Sequence, residues 1–204
     1  MGRQIGPICK KYRRFGERRT GAPNDPTVKK PYAPGMHGKT RRPSMSDYGR
    51  QLTMKQKIKM IYGVMEKQFR RHYKEALKGD GKIGERLLQR LELRLDNVVF
   101  RMGLATTRPQ ARQLVNHGAI FVNNRKVDIP SYKTAIGDVI SVNPRKANNG
   151  YFAAIKETIG DRKDTPAWIL FDEKKLEGKI TALPQRSDIG YTIDPQVVVE
   201  FYSK

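Results

Sequence analysis

The feature that most constrains this chain is the placement of its charge. Residues 1–60 carry 16 basic against 3 acidic side chains, residues 61–147 carry 17 against 8, and residues 148–204 carry 8 against 9. The formal net charge of +21 therefore belongs to the first two thirds. Cations at that density repel one another unless an anion neutralises them, so this part is expected to meet a polyanion, with nucleic acid first among the candidates. The near-neutral last third is expected to build core or to contact protein.

A length of 204 residues allows one ordinary domain or two small ones, and excludes a large multidomain enzyme. With 37% hydrophobic and 30% charged residues, the chain is expected to fold while leaving part of itself to be ordered by its partner. No stretch approaches the ~20 apolar residues of a membrane span. The opening residues MGRQIGPICKKYRR contain no apolar signal region, so a cytoplasmic location without membrane contact is the default. Cys9 alone cannot form an intramolecular disulfide or hold a structural zinc, and His37, His72 and His117 are scattered, so no metal or cofactor is expected. No nucleophile elbow, phosphate-cradling glycine loop or carboxylate pair in a pocket-forming context is present, which points away from an enzyme.

Residues 1–46 show neither helical nor strand periodicity and read as an arm that orders on binding. Within it Lys10-Lys11-Tyr12-Arg13-Arg14-Phe15 interleaves cations with rings, a mixture suited to phosphate contact and base stacking, and Lys39-Thr40-Arg41-Arg42 adds a second cluster. A helix is predicted from Ser46 as N-cap, with Tyr48, Leu52, Ile58 and Tyr62 on one arc and Lys55 intruding on it. Over Glu66–Lys78, Phe69, Tyr73, Ala76 and Leu77 share a face and Arg70, Arg71, Lys74 and Lys78 the adjoining one. From Glu85 to Met102, Leu87, Leu88, Leu91, Leu95, Val98, Val99 and Met102 form an apolar side, and Arg86, Arg90, Arg94 and Arg101 a basic one. Such an arginine stripe is more often a solvated face than an RNA surface. Leu93 and Phe100 leave the apolar stripe, which predicts either a second contact surface or a break near Asp96-Asn97.

After Gly103, a short helix is predicted with Thr107 as N-cap, Pro109 in its first turn, Ala111, Leu114 and Val115 inward and Gly118 as its stop. Its outward Arg108, Arg112, Gln113, Asn116 and His117 are phosphate or base-edge donors; His117 could equally be a helix-end cap. Two strands flank the turn Asn123-Asn124-Arg125, and Val139–Val142 reads as a third, giving a small helix-and-antiparallel-sheet RNA-binding module. Tyr151–Ile159 is helix-like, and Pro166–Phe171 reads as core anchored by Trp168. At the C-terminus a helix start at Asp194-Pro195 conflicts with the strand preference of Val197-Val198-Val199.

The separated blocks Gly6–Lys10, Tyr32–Gly38, Arg42-Pro43-Ser44 with Asp47-Tyr48, Lys55-Gln56-Lys57 with Ile61-Tyr62-Gly63, Leu91–Arg101, Thr107–Gly118 and Val199–Lys204 resemble a known family, the fourth protein of the bacterial small ribosomal subunit (S-four), from end to end. The resemblance implies an α+β fold: a helical body over 46–91 completed by 146–204, a small inserted helix-and-antiparallel-sheet RNA-binding domain over 92–145, and an extended basic N-terminal arm over 1–45. It implies a primary binder of small-subunit rRNA that docks on a multi-helix junction of the 5′ domain and nucleates assembly of the subunit body. It further implies a position beside incoming mRNA, contact with small-subunit proteins five and three, and, with protein five, an influence on translational accuracy. Protein five would be met through Leu183, Pro184 and Arg186.

Candidate RNA contacts are Lys10, Arg13, Arg14, Arg18, Tyr32, His37, Arg41 and Arg42 in the arm, and Tyr48, Arg50, Lys55, Lys57, Arg70 and Arg71 in the body. The RNA module adds Arg94, Arg108, Arg112, Gln113, His117, Arg125 and Lys133. The same small RNA-binding fold is appended to pseudouridine synthases and some tRNA synthetases, but those need a catalytic domain for which about 57 residues leave no room. A heat-stress factor that rescues stalled subunits lacks the Tyr32–Gly38 and terminal blocks. Two departures from the family pattern stand out. Cys9 matches the first ligand of a zinc cluster found in many relatives, but Tyr12 stands at the second and the later ligands are missing, so the chain resembles a zinc-free form whose arm is expected to need RNA to order it. The family's Val-Asn-Gly turn reads Val122-Asn123-Asn124 here; Asn tolerates the left-handed conformation, so the hairpin should survive.

Overall fold

The stripe over 85–102 does break, at Leu93-Arg94 rather than near Asp96-Asn97, and this break is the joint on which the second half of the chain is built. The computed structural model describes residues 6–17, 25–40, 44–147, 149–159 and 165–203. In chain order its elements are α1 (Ile8–Phe15), α2 (Pro26–Lys29), α3 (Asp47–Tyr62), α4 (Glu66–Leu77), α5 (Ile83–Glu92), α6 (Leu95–Arg101), α7 (Arg108–Asn116), β1 (Ile120–Val122), β2 (Arg125–Lys126), β3 (Val139–Val142), α8 (Gly150–Ile159), β4 (Ile169–Asp172), β5 (Glu177–Ile180) and α9 (Pro195–Ser203). They form two compact units, Met1–Gly84 with Thr192–Lys204, and Glu85–Tyr191.

In the first unit, the Ser46 hydroxyl caps α3 by accepting the Gly49 N–H at 3.3 Å, and Gly63 ends the helix in the left-handed conformation. The conflict over 194–203 resolves as a helix, α9, which packs on α3. Burial of Val198 and the stacking of Tyr202 on Tyr73, with ring centroids 4.7 Å apart, outweigh the strand preference of the three valines. Gly84 permits the close approach of this segment, since a Cβ there would lie 2.9 Å from that of Pro195. The intrusion of Lys55 on the apolar arc of α3 is explained by Glu66 on α4. That carboxylate accepts from Lys59 Nζ at 2.6 Å, Lys55 Nζ at 3.3 Å and the Tyr202 hydroxyl at 2.7 Å, while the Lys55 ammonium sits 4.3 Å from the Phe201 ring centroid. Burial works against the Glu66 charge, but the hydrogen bonds from Lys59 and Tyr202 and the charges of both lysines outweigh it and hold its pKa at about 2. Burial, and then the Glu66 carboxylate, push the Tyr202 phenol well above its usual range. The arm, expected to lack regular structure, contains α1 and the single turn α2, which Asp25 caps by accepting the Thr27 N–H at 2.9 Å and its hydroxyl at 2.6 Å.

In the second unit, the described residues form a five-stranded antiparallel sheet in the order β2-β1-β3-β5-β4. Ile120, Val122, Ile140, Val142, Ile169 and Ile180 point to one side and pack on Val98, Val99, Met102, Ala111 and Val115 of α6 and α7. Trp168 is buried in that core, as its apolar surroundings predict. Residues 146–191, grouped from the sequence with the helical body, fall in this unit because β5 pairs with β3 through Val139↔Lys179 and Ile140↔Gly178. Gly178 leaves room there for the Met102 side chain, whose Cε would lie 2.6 Å from a Cβ at this position. The β1–β2 turn forms with Asn123 at φ 50° and Asn124 at φ 64°, the mirror-image turn that matches strand twist. Asn123 also accepts the Val139 N–H and donates to Asp138, both at 2.9 Å, which ties the turn to β3.

The helix break is held by a buried polar network. Leu95 and Asp96 donate their N–H groups to Tyr132 O and Pro130 O at 2.9 and 3.1 Å, and Leu93 O accepts from the Thr134 N–H and hydroxyl. Arg94 forks onto Asp96 at 3.1 and 2.7 Å. Glu92 accepts from Arg101 at 2.9 and 2.7 Å and from Asn97 Nδ2 at 2.6 Å; Asn97 Oδ1 in turn accepts from Arg108 Nε at 2.7 Å. Arg108 then donates to the Tyr191 hydroxyl at 3.1 Å and lies 4.4 Å from the Phe100 ring centroid.

Three outcomes are expected. Glu92→Ala, which strips Arg101 of its carboxylate while Asn97 keeps its bond to the Glu92 carbonyl at 3.0 Å, should cost about 3–5 kcal/mol in a urea unfolding titration, and Glu92→Leu with Arg101→Leu should recover most of that. The Glu66 pKa lies below its ordinary 4.5, so its stabilisation is present above pH 4.5 and is lost as pH falls toward 2. Glu66→Gln should therefore flatten acid unfolding across that window, removing about 1 kcal/mol once its 46% exposure is allowed for. Asn124→Gly should raise thermal stability by about 0.5–1 kcal/mol, and Asn124→Val should lower it by about 1–2 kcal/mol.

Candidate nucleic-acid interface

The best-defined surface of donors is built on α7 and the β1–β2 hairpin. The Thr107 hydroxyl caps α7 by accepting the Gln110 N–H at 3.4 Å, Pro109 occupies the first turn, and the buried Ala111 and Val115 fix which face turns outward. That face presents Gln113, Asn116 and His117 to solvent, with Arg112 half-buried beside them. Gly118 at φ 63° turns the chain into β1 and lets the Lys126 side chain pass over the helix end. Arg125 and Lys126, both exposed, extend the cationic surface along β2, and Lys146 reaches the His117 carbonyl from the other side. Lys133 is exposed on the loop that pairs with Arg94. All these groups donate hydrogen bonds or carry positive charge, so the surface can neutralise phosphates and read 2′-hydroxyl and base edges.

In the first unit, Arg70 and Arg71 are exposed on α4 alongside Lys67, Lys74 and Lys78; Arg71 also pairs with Glu75 at 2.9 Å. Arg50 is exposed and pairs with Asp47 at 3.3 Å. Tyr48 is 60% exposed with its ring 5.8 Å from that of Phe201, leaving one face for stacking. In the arm, Lys10, Arg14 and His37 are exposed, and the half-buried Tyr32 ring lies within 5.0 Å of the Arg13 guanidinium and 5.2 Å of Lys39 Nζ. Arg18, Arg41 and Arg42 lie outside the described residues.

Five expectations need correction. Arg94 is 4% exposed and pairs with Asp96 inside the second unit. Lys55 is buried against Glu66 and two aromatic rings, and Lys57 is buried between Glu17 and the Thr192 carbonyl at 2.8 Å. Arg108, expected to face outward, is committed to Asn97, Tyr191 and the Phe100 ring. Each of these cations is held by acceptors within its own unit, two residues away for Arg94 and brought from distant positions for Lys57 and Arg108. Among the residues assigned to protein contact, Leu183 and Arg186 are exposed, but Pro184, just before the short 3₁₀ turn over 186–188, is buried. Conversely, Lys126 and Lys146 join the α7 surface without having been singled out. Lys126 was detectable beside Arg125 in a two-residue strand with both side chains exposed; Lys146 has no local signal. Among the described residues, no group of three or more His, Cys, Asp or Glu side chains could hold a metal ion. No helix there is long and apolar enough to cross a membrane.

A family model described as the ribosomal protein S4/S9 N-terminal domain matches residues 3–92, and one described as the S4 domain matches residues 93–140. The two meet at the joint between α5 and α6. The chain is 47% identical over 204 residues to the small ribosomal subunit protein uS4 of Mycobacteroides abscessus, 46% over 221 residues to that of Herpetosiphon aurantiacus and 45% over 204 residues to that of Listeria monocytogenes. In each case the alignment covers all of both chains. With that identity sustained from end to end, and an S4 domain whose capped helix and hairpin present the donors described above, the chain belongs to the small ribosomal subunit protein uS4 family.

Proposed function

We propose that this chain is a structural constituent of the small ribosomal subunit, without enzymatic activity, that binds rRNA through its outward-facing cations. The observation that carries this reading is the cluster of exposed donors on α7 and the β1–β2 hairpin, backed by a buried network that holds α7 rigid. On this reading the protein is a primary binder of a multi-helix junction in the 5′ domain and nucleates assembly of the subunit body. Arm, helical body and RNA module would each contribute contacts, spanning more of a junction than one domain could. Contact with protein five through Leu183 and Arg186 suits their exposure on a near-neutral segment, and that contact would carry the influence on accuracy. Protein three and incoming mRNA complete the proposed neighbourhood in the cytoplasmic ribosome.

Affinity distributed over many phosphate contacts should fall linearly in log–log form with salt, while junction shape supplies the specificity. The test is a salt series of binding to the 5′-domain junction and to a duplex of equal length. A preference for the junction that persists as salt rises supports the reading; equal binding that collapses together at moderate salt refutes it. In the same series, Arg125→Ala should weaken junction binding by about three- to tenfold and lower the salt slope by about one. Arg94→Gln should destabilise the fold and leave the slope unchanged.

A further inference from the structure

The arm contains a clamp made of protein alone. After α1 and the left-handed Gly16, the stretch Lys30–Ala33 runs alongside the helix without belonging to a helix or strand, so its carbonyls have no ladder partners of their own. The Arg13 guanidinium supplies them: Nε donates to Lys30 O at 2.9 Å and Tyr32 O at 3.0 Å, and a second nitrogen makes a longer contact to Ala33 O at 3.5 Å. Its plane also lies 5.0 Å from the Tyr32 ring centroid. Gly38 folds the following turn back on the same spot, so tightly that a Cβ there would meet Ala33 O at 1.9 Å. A second tie anchors the arm to the body, where Glu17 pairs with the buried Lys57 of α3. The planar guanidinium holds its N–H groups in a fixed fork, with Nε–H shared between two carbonyls while Cζ lies over the ring; a lysine ammonium is a point charge without that fixed geometry.

We propose that Arg13 is a positioning residue that latches the arm before any RNA arrives, rather than one of the phosphate contacts. Resting on the RNA-binding reading above, the latch presents Lys10, Arg14 and His37 in a fixed arrangement. RNA then meets an ordered surface and does not have to supply the whole ordering entropy.

The test uses the full chain and the variants Arg13→Ala and Arg13→Lys. Hydrogen exchange without RNA should show protected amides in α1 of the wild type. Both variants should lose that protection by about tenfold or more, as expected for lost charge-assisted hydrogen bonds. Exchange in β3 serves as the control for an intact fold. In RNA titrations both variants should bind the junction more weakly with an unchanged salt slope. An unprotected α1 in the wild type, unchanged protection in either variant, or a slope reduced by about one in Arg13→Ala would each overturn the proposal. The exchange result is independent of RNA, so a failure of the latch is distinguishable from a failure of the RNA-binding reading.

Discussion

The second unit depends on one buried carboxylate. Glu92 is 1% exposed, and an ionised carboxylate at that depth is intolerable unless cations and donors surround it. Arg101 must therefore fork onto it and Asn97 must turn its amide toward it, which is possible only if the chain breaks after α5 and restarts as α6. Asn97, so oriented, offers its oxygen to Arg108 and thereby fixes the start of α7. Burial of Ala111 and Val115 then sets the face of α7 that carries Arg112, Gln113 and His117.

The same logic operates in the first unit and explains how a chain with 41 cations and 20 acids can fold. Buried or half-buried acids each withdraw particular cations from the surface: Glu66 takes Lys55 and Lys59, Glu17 takes Lys57, Asp96 takes Arg94, and Glu92 takes Arg101. These pairs cost desolvation and return orientation. Which cations are drawn inward is thus set by the placement of the few acids rather than by the chemistry of the cations.

Elements whose signals are local were legible from the residues. The Thr107 cap, the inward Ala111 and Val115, the Asn123-Asn124 turn, the Ser46 cap and the burial of Trp168 all follow from propensity and periodicity within a few positions. The break in the arginine stripe was signalled by Leu93 and Phe100 leaving phase, although its place at Leu93-Arg94 depends on a pairing with Tyr132 and Thr134 some forty residues away. The two further strands could not be read, because β4 and β5 are four residues each and become strands by joining an edge that β3 provides. The helical state of α9 likewise rests on burial of Val198 and on the stack of Tyr202 with Tyr73.

By itself the sequence determined the partner's charge, the basic two thirds, the small helix-and-hairpin module and the family to which the chain belongs. Those properties reside in composition and short-range spacing, which survive without knowledge of the fold. Only the tertiary structure decided which cations are drawn into buried ion pairs and hydrogen bonds. Arg94 and Arg112 both sit among helical residues in basic segments, yet Arg94 is buried on Asp96 and Arg112 stays at the surface. Asp96 stands only two residues from Arg94, and what the fold adds is burial: the segment bridges to Lys133 and donates N–H groups to Tyr132 O and Pro130 O, and in water-poor surroundings the pair outweighs any preference carried by the residue type.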